Sequence, residues 1–312
     1  MYLSVVIPVY NSEALIENLI GQLTASLEPL NVGYEVILVC DNSPDKSWAE
    51  ISRLSASDRR IKGVLLRKNV GQHNAIILGM KYASGKYVVT MDDDLQHSPM
   101  DIPELLKKIE EGFDVVYCNF KTRSHAFWKI VGSQITNWLM TKFSGKPVNL
   151  HLSPFRIIHH EICEEIVNSQ TENSYIDGII LRVTENLGTI LVVHHKRIVG
   201  KSNYGLRKSM SLWLRMLTNN STSPLRAVSY LGVLISFASG VAIIALIIER
   251  FQTSTISSGW SSLMVTIIFL GGIQLVGIGI LGEYLGRVFS FTSRQPLASI
   301  KDSIGINHKK AP

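Results

Sequence analysis

Two long stretches without a charged residue set the outer limits on what this chain can become. From Ala227 to Ile248 run 22 residues with no Asp, Glu, Lys or Arg, and Leu263 to Leu281 adds 19 more. At about 1.5 Å of helical rise per residue, each is long enough to cross a hydrocarbon layer of about 30 Å. Arg226 and the Glu249-Arg250 pair bracket the first run. A hydrophobic share of 46% against 18% charged is too apolar for a freely soluble chain of 312 residues. The reading is a two-helix transmembrane region over 227–289, with spans at about 227–248 and 263–281. Basic residues precede the first span and follow the second (Arg287, Arg294, Lys301, Lys309, Lys310), whereas the connecting segment holds one arginine. By the positive-inside rule both termini are expected in the cytoplasm, on a multi-pass protein of the inner (plasma) membrane.

Charge is distributed unevenly. Residues 1–195 carry 18 Lys+Arg against 22 Asp+Glu, a balance of −4, although the whole chain is +6. Residues 196–226 carry seven basic residues and no acidic one. Within that basic stretch Leu206, Met210, Trp213, Leu214 and Leu217 recur at helical spacing, with Arg207, Lys208 and Arg215 off the stripe. A helix lying on anionic lipid headgroups is expected over 204–226. Residues 1–203 are then a cytoplasmic catalytic domain and 290–312 a cytoplasmic C-terminal tail. No signal peptide is visible, since the first apolar run stops at Pro8. Three scattered cysteines (Cys40, Cys118, Cys163) suggest neither a disulfide framework nor a zinc cage. Nucleic acid is not an expected partner, because no reading helix or aromatic platform accompanies the basic charge.

Upstream, short β-rich runs alternate with helical patterns. Strands are predicted at Leu3–Val9, Tyr34–Cys40, Ile61–Leu66, Tyr87–Met91 and Asp114–Cys118. Helices are predicted over Ser12–Leu27, Asp45–Ser55, Gly71–Ala83 and Ile102–Glu111, with Ser12 as an N-cap. Such alternation argues an α/β domain with an open, mostly parallel sheet and helices on both faces. Ligands bind such sheets beyond the carboxyl ends of the strands. Four of the predicted ends carry groups a nucleoside diphosphate could use: Pro8 to Asn11, Asp41 to Ser43, Arg67-Lys68-Asn69, and Asp92-Asp93-Asp94-Leu95-Gln96. The glycine fingerprint of dinucleotide-binding enzymes is absent after the first strand.

Three consecutive carboxylates repel one another unless a cation or hydrogen-bond donors offset them. In extended backbone Asp92 and Asp94 point the same way, so both can converge on one ion while Asp93 points elsewhere. Oxygen ligands completed by water and phosphate suit Mg²⁺ or Mn²⁺.

The segments Val5 to Asn11, Asp41 to Asp45, Lys68 to Ala75 and Met91 to Gln96 together resemble glycosyltransferase family 2, whose fold is the GT-A fold. His194 to Arg197, Gly200 to Tyr204, Pro224 to Arg226 and Leu281 to Arg287 resemble its polyprenyl-phosphate branch. That branch includes dolichyl-phosphate mannose synthases, undecaprenyl-phosphate aminoarabinose transferases and bactoprenol glucosyltransferases. The resemblance implies that Pro8, Tyr10, Glu13 and Asp41 line the pocket for base and ribose, and that Asp92, Asp94 and Gln96 form the metal site. It implies that Arg156, Arg197 and Lys201 face phosphates, with Arg123 and Lys129 as further basic candidates for the acceptor phosphate. Asp92, Asp94, Arg156 and Arg197 are the catalytic candidates, while Lys68 and Asp93 fall on the nucleotide side. Two positions depart from the family pattern. Cys40 stands where many relatives have an Asp, and the segment Asn149-Leu150-His151 lacks the acidic residue often found before Phe-Arg.

A phosphate-monoester acceptor is already anionic near neutral pH, so positioning and charge stabilisation are what an enzyme must add. The expected activity is therefore single-sugar transfer from a nucleotide sugar, UDP-linked by expectation, to a polyprenyl (undecaprenyl) phosphate with inversion at the anomeric carbon. A separate flippase would carry the product across the membrane, and the resemblance implies a homo-oligomer. Two alternatives stand beside this reading: a processive polysaccharide synthase, whose Gln-x-x-Arg-Trp motif is absent, and a non-catalytic nucleotide-binding scaffold or flippase partner.

Overall fold

The computed structural model describes residues 1–120, 152–169, 176–192, 259–292 and 298–306, with isolated positions at 230, 232, 235 and 241. Two compact units divide the chain, one formed by Met1–Tyr204 with Gln295–Pro312 and the other by Gly205–Arg294.

The first unit is built on one eight-stranded sheet. Its strands are β1 (Leu3–Val9), β2 (Tyr34–Cys40), β3 (Ile61–Leu66), β4 (Tyr87–Thr90), β5 (Val115–Phe120), β6 (Arg156–His159), β7 (Leu187–Val192) and β8 (Ile300–Ile304). Their spatial order is β7-β5-β6-β4-β1-β2-β3-β8. Four neighbouring pairs are parallel (β1 with β2, β1 with β4, β2 with β3, β5 with β7), and the three pairs involving β6 or β8 are antiparallel. The expected α/β architecture with a mostly parallel sheet is therefore present. Every residue of β1 and β2 is buried, as a strand covered on both faces requires.

One face packs α1 (Ile16–Leu27), α2 (Ser47–Ser57) and α4 (Ile102–Ile109), through Leu19, Leu23, Ile51, Leu105 and Ile109 against Leu3, Val5, Ile7 and Leu38. The other packs α3 (Gln72–Tyr82), α5 (His160–Asn168) and α6 (Ile176–Val183), with Val6, Ile37 and Val39 meeting Ile76, Met80, Ile166 and Ile180. At Gly79 of α3 an added Cβ would lie 2.4 Å from a Val6 methyl carbon, so glycine lets this helix settle on the sheet.

Sequence and structure part at three places. Helix α1 begins at Ile16, not at Ser12, and Leu15 is its N-cap residue with no side-chain capping bond. The Ser12 hydroxyl is engaged by Asp93 instead. Strands β6 and β7 arise in a region with no regular pattern in sequence. The segment expected to be only a tail supplies β8, which lies antiparallel against β3 at the sheet edge.

The second unit contains α7 (Trp260–Thr292), so the whole Leu263–Leu281 run is helical. Leu263, Ile267, Leu275, Ile278 and Leu281 are exposed on it. Among the described residues no helix is long and apolar enough to cross a membrane, so the expected pair of spans is not established. The run 227–248 and the expected surface helix at 204–226 lie outside the described residues, apart from the isolated positions.

Candidate functional site

The switch point of this sheet lies between β1 and β4, because the chain leaves β1 toward β2 on one side and returns to β4 on the other. Pairing of β1 with β4 runs only to Val6 and Thr90, and Met91 donates its N–H to the Val6 carbonyl at 3.3 Å. On the other side β1 stays paired with β2 through Val9 and Cys40. Pro8, two residues after Val6, would address the β4 side, where the ladder has ended. A residue without an N–H leaves no donor stranded there.

Turns with unusual backbone line this edge. Asn11, Asn42 and Leu95 have φ of 61°, 50° and 56°. Asparagine tolerates this region, whereas a buried leucine there is strained, by about 1–3 kcal/mol for such residues. Leu95 is held by its own burial and separates Asp94 from Gln96.

The loops after β1 and β2 are sewn together. The Asn11 N–H donates to Ser43 Oγ at 2.8 Å, and Ser43 Oγ donates to Asp45 Oδ1 at 2.5 Å. Glu13 N–H donates to Asp45 Oδ2 at 3.1 Å, while Lys46 N–H donates to Glu13 Oε2 at 2.8 Å. Burial pushes the Asp45 carboxyl up, but the Ser43 and Ser47 donors outweigh it and leave it below the ordinary value. Within this stitched pair Tyr10 is 49% exposed. Glu13 is thus spent on the loop.

Asp41 is buried, and its two carboxylate oxygens accept from the N–H groups of Val70 (2.7 Å) and Gly71 (2.9 Å). Burial raises its pKa, and those two donors only partly offset the rise. Its role in this structure is to hold the loop between β3 and α3, where Gly71 takes φ 86°. Lys68 is exposed on the same loop.

The acidic triplet follows β4. Asp92 Oδ1 accepts a hydrogen bond from the Gln72 side-chain amide at the start of α3. Asp94 Oδ1 accepts from the Gln96 N–H at 3.1 Å. Asp93 turns toward β1, where its Oδ2 accepts from the Tyr10 N–H at 3.1 Å and from Ser12 Oγ at 2.5 Å. Burial raises the Asp93 pKa, with Ser12 and Tyr10 pulling the other way. Just beyond, the buried His97 ring stacks on Phe155 at 5.4 Å.

Arg156 does not join this cluster as a free cation. Only 1% exposed, it opens β6 and forms an ion pair with Asp177 of α6, which also accepts from the Tyr117 hydroxyl at 3.0 Å. The arginine expected to face phosphates is matched by a buried carboxylate, Asp177 in the first turn of α6. His73, in the first turn of α3, has its pKa lowered by burial and then by the Arg156 charge. Arg123, Lys129, Arg197 and Lys201 lie outside the described residues. His159 sets its ring edge-on to Tyr87 at 5.5 Å, and His160 Nε2 lies 3.5 Å from Glu164.

Among the described residues no group of three or more His, Cys, Asp or Glu is placed to hold a metal. Asp92, Asp94 and Gln96 offer a smaller, all-oxygen set. That composition fits a hard cation held by one or two carboxylates, with water and substrate phosphate filling the remaining positions. It does not fit a closed protein cage.

Sequence marked Gln72 only within the Lys68 to Ala75 segment and Ser12 only as a helix cap, and it did not mark Asp177; none was paired with the residue it meets. They lie 20, 81 and 21 residues from Asp92, Asp93 and Arg156 respectively. Only topology brings them together.

Residues 4–170 match the family described as Glycosyl transferase family 2. An uncharacterized glycosyltransferase, YkcC, of Bacillus subtilis (strain 168) is 31% identical over 98% of this chain and 95% of its own length. An undecaprenyl-phosphate 4-deoxy-4-formamido-L-arabinose transferase of Edwardsiella ictaluri is 31% identical over 98% of this chain and 95% of its own. Among solved structures, glucosyl-3-phosphoglycerate synthase from Mycobacterium tuberculosis, in complex with Mn²⁺ and uridine-diphosphate-glucose, superposes with TM-score 0.51 at 18% identity. That match covers 70% of this chain and 77% of the other, and it shows the shared α/β fold.

Proposed function

The chain belongs to glycosyl transferase family 2, and on that premise we propose that it transfers one sugar from a UDP-linked donor to a polyprenyl phosphate, of the undecaprenyl type, at the cytoplasmic face of the plasma membrane. The observation that carries the reading is the junction at the β1/β4 switch point. There the exposed Tyr10 and the pair Asp92 and Asp94 follow the carboxyl ends of β1 and β4, tied together by Asp93. A base-and-ribose side and a diphosphate side are what a nucleotide-sugar donor requires. The acceptor is supported by the names of relatives that match this chain almost end to end.

Asp92, Asp94 and Gln96 are the residues that would hold Mg²⁺ or Mn²⁺, which supplies charge neutralisation for the departing nucleoside diphosphate. The remaining work falls to side chains. Tyr10 offers an aromatic face to the base, and Pro8 shapes the floor beneath it. Gln72 orients Asp92. The acceptor phosphate is anionic without help, so attack on the anomeric carbon needs alignment and positive charge more than a general base. Arg197 and Lys201, with Arg123 and Lys129, supply that charge in this reading. Arg156 takes the different role of fastening β6 to α6. A single displacement of this kind inverts the anomeric configuration.

The runs 227–248 and 263–281 are read as the anchor that keeps the enzyme beside an acceptor whose tail stays in the bilayer. The exposed leucines and isoleucines of α7 support that anchor. Self-association and a separate flippase belong to the same proposal.

Membranes carrying the full chain, undecaprenyl phosphate, Mn²⁺ and a panel of labelled nucleotide sugars test it. Label should enter the organic-extractable lipid with one donor and should not enter it with an Asp92→Ala chain. Label that reaches only water-soluble or polymeric product with every donor would sink the acceptor assignment.

A further inference from the structure

The middle acid of the triplet is the least explained group at the site. In sequence it sits between two residues suited to a cation, yet its carboxylate is turned toward the loop after β1. Asp93 Oδ2 receives the Tyr10 N–H at 3.1 Å and the Ser12 hydroxyl at 2.5 Å. Both donors belong to the β1–α1 loop, which the ladder releases after Val6 and Thr90. Beyond that point Asp93 joins the two loops, and Tyr10, 49% exposed, is the residue it pins. The Ser12 hydroxyl lies closer to Asp93 than to its other acceptor, the Tyr10 carbonyl at 3.2 Å. Helix α1 starts four residues later than its sequence suggests, which leaves Ser12 free of capping duty.

We propose that Asp93 is a positioning residue, a latch that makes cation binding at Asp92 and Asp94 and the ordering of the Tyr10 loop one event. The inference rests on the metal reading of Asp92 and Asp94. Fixing the residues on either side of Asp93 fixes its backbone, and two hydrogen bonds carry that constraint to the β1–α1 loop. By linkage, a nucleoside held by the loop tightens the cation site in return. The donor pocket is thus assembled by the ion through protein, in addition to any direct contact between ion and diphosphate.

Full-length protein in detergent, without nucleotide, separates these effects. Mn²⁺ uptake is read by electron paramagnetic resonance, and amide exchange is followed over residues 9–14, with strand β3 as an internal control. In the native chain Mn²⁺ should slow exchange over 9–14. Asp93→Ala should exchange there about five- to tenfold faster without the ion, the effect of losing one or two hydrogen bonds. It should stop responding to Mn²⁺, with β3 unchanged. Its Mn²⁺ affinity should move less than about threefold, whereas Asp92→Ala should lose at least tenfold, since even outer-shell partners are worth about 10–100-fold. Asp93→Asn keeps an acceptor for the Tyr10 N–H and should recover part of the protection. Ser12→Ala should give a smaller loss and serves if Asp93→Ala does not fold.

Equal loss of Mn²⁺ affinity in Asp93→Ala and Asp92→Ala would make Asp93 a ligand and overturn the latch. Unchanged exchange over 9–14 in the variants would do the same. A native chain that binds Mn²⁺ with no change over 9–14 removes the coupling. One that takes up no Mn²⁺ fails the metal reading and overturns the latch with it, and faster exchange in ion-free Asp93→Ala then shows only that Asp93 holds the β1–α1 loop.

Discussion

Carboxylates stand at both the amino and the carboxyl ends of the sheet's strands, Glu35 on β2 and the triplet after β4, and the two edges treat them oppositely. At the amino ends Glu35 of β2 is fully buried. It is met by the Lys62 ammonium, by Ser4 Oγ at 2.6 Å, and by the N–H and hydroxyl of Ser84 at 2.7 and 2.8 Å. At the carboxyl ends Asp92, Asp93 and Asp94 stand in a row, half-buried, directly before Leu95 at φ 56°. A buried polar network is stable when each member is satisfied. The amino edge meets that condition with a cation and short donors, as a part of the fold would. The carboxyl edge gathers like charge beside Leu95, a buried leucine held at positive φ, and strain of that kind clusters at functional sites.

Breaking the carboxyl edge should therefore abolish activity and spare stability. Asp92→Ala or Asp94→Ala is expected to lower turnover by roughly 10³-fold, on the scale of removing a main charge-stabilising group. The thermal midpoint should stay level or rise, because mutual repulsion is relieved. Glycolipid formation and a melting curve on the same samples check both halves. A chain that unfolds on losing either residue would erase the contrast between the edges.

Arg156 and Asp177 cross the boundary, because Arg156 lies opposite Thr90 at the carboxyl end of β4 but the pair is matched like the amino edge. Their ion pair is 1% and 7% exposed by side chain, and removing one partner leaves a buried charge alone. Arg156→Ala or Asp177→Ala should cost about 3–5 kcal/mol in denaturant unfolding. The Arg156→Met, Asp177→Leu double variant should recover much of that loss. If the double variant keeps its activity, Arg156 serves the fold; if it folds but turns over no donor, Arg156 meets substrate after all.

What sequence disclosed follows the same division. The ends of β1, β2 and β3 were legible to the residue, since each is a continuous apolar run closed by turn-forming residues. The acidic triplet was legible because three adjacent charges demand an explanation. Strand β6 was not, because Arg156 opens it and its partners come from α6. Strand β7 alternates buried and exposed residues over only six positions, too short to stand out. Strand β8, Ile-Lys-Asp-Ser-Ile, is half polar because it lies at an edge with one neighbour. For Asp41, sequence supplied the residue and the resemblance a role, but its hold on the Val70 and Gly71 amides is a tertiary fact.

At the amino edge, Glu35→Gln should cost about 1–3 kcal/mol near neutral pH, the penalty of unmatching a buried polar group. Its pH dependence carries the sign. Burial pushes the Glu35 carboxyl up, but Lys62, Ser4 and Ser84 more than offset this and hold it below its ordinary 4.5. A depressed carboxylate contributes stability that is present above the unfolded-state value and lost as pH falls through the folded-state value. The gap between native and Glu35→Gln should therefore narrow on acidification below about pH 4.5. A constant gap from pH 7 to pH 3 would show that shape, not charge, fills that site.

The smallest effects come from the asparagines. Asn31 follows α1 at the amino edge with φ 51°, and Asn11 follows β1 at the carboxyl edge with φ 61°. Glycine takes positive φ without a Cβ penalty but gives the unfolded chain more freedom, so each Asn→Gly should shift stability by only a few tenths of a kcal/mol. The edges should differ in what else moves. Asn31→Gly should leave the kinetics unaltered, since its loop meets no ligand. Asn11→Gly frees the turn beside Tyr10 and should raise the donor KM about two- to threefold at unchanged kcat, the signature of weaker binding shared by ground and transition states. Equal KM values for the two variants would mean that the Asp93 and Ser43 contacts already fix the loop.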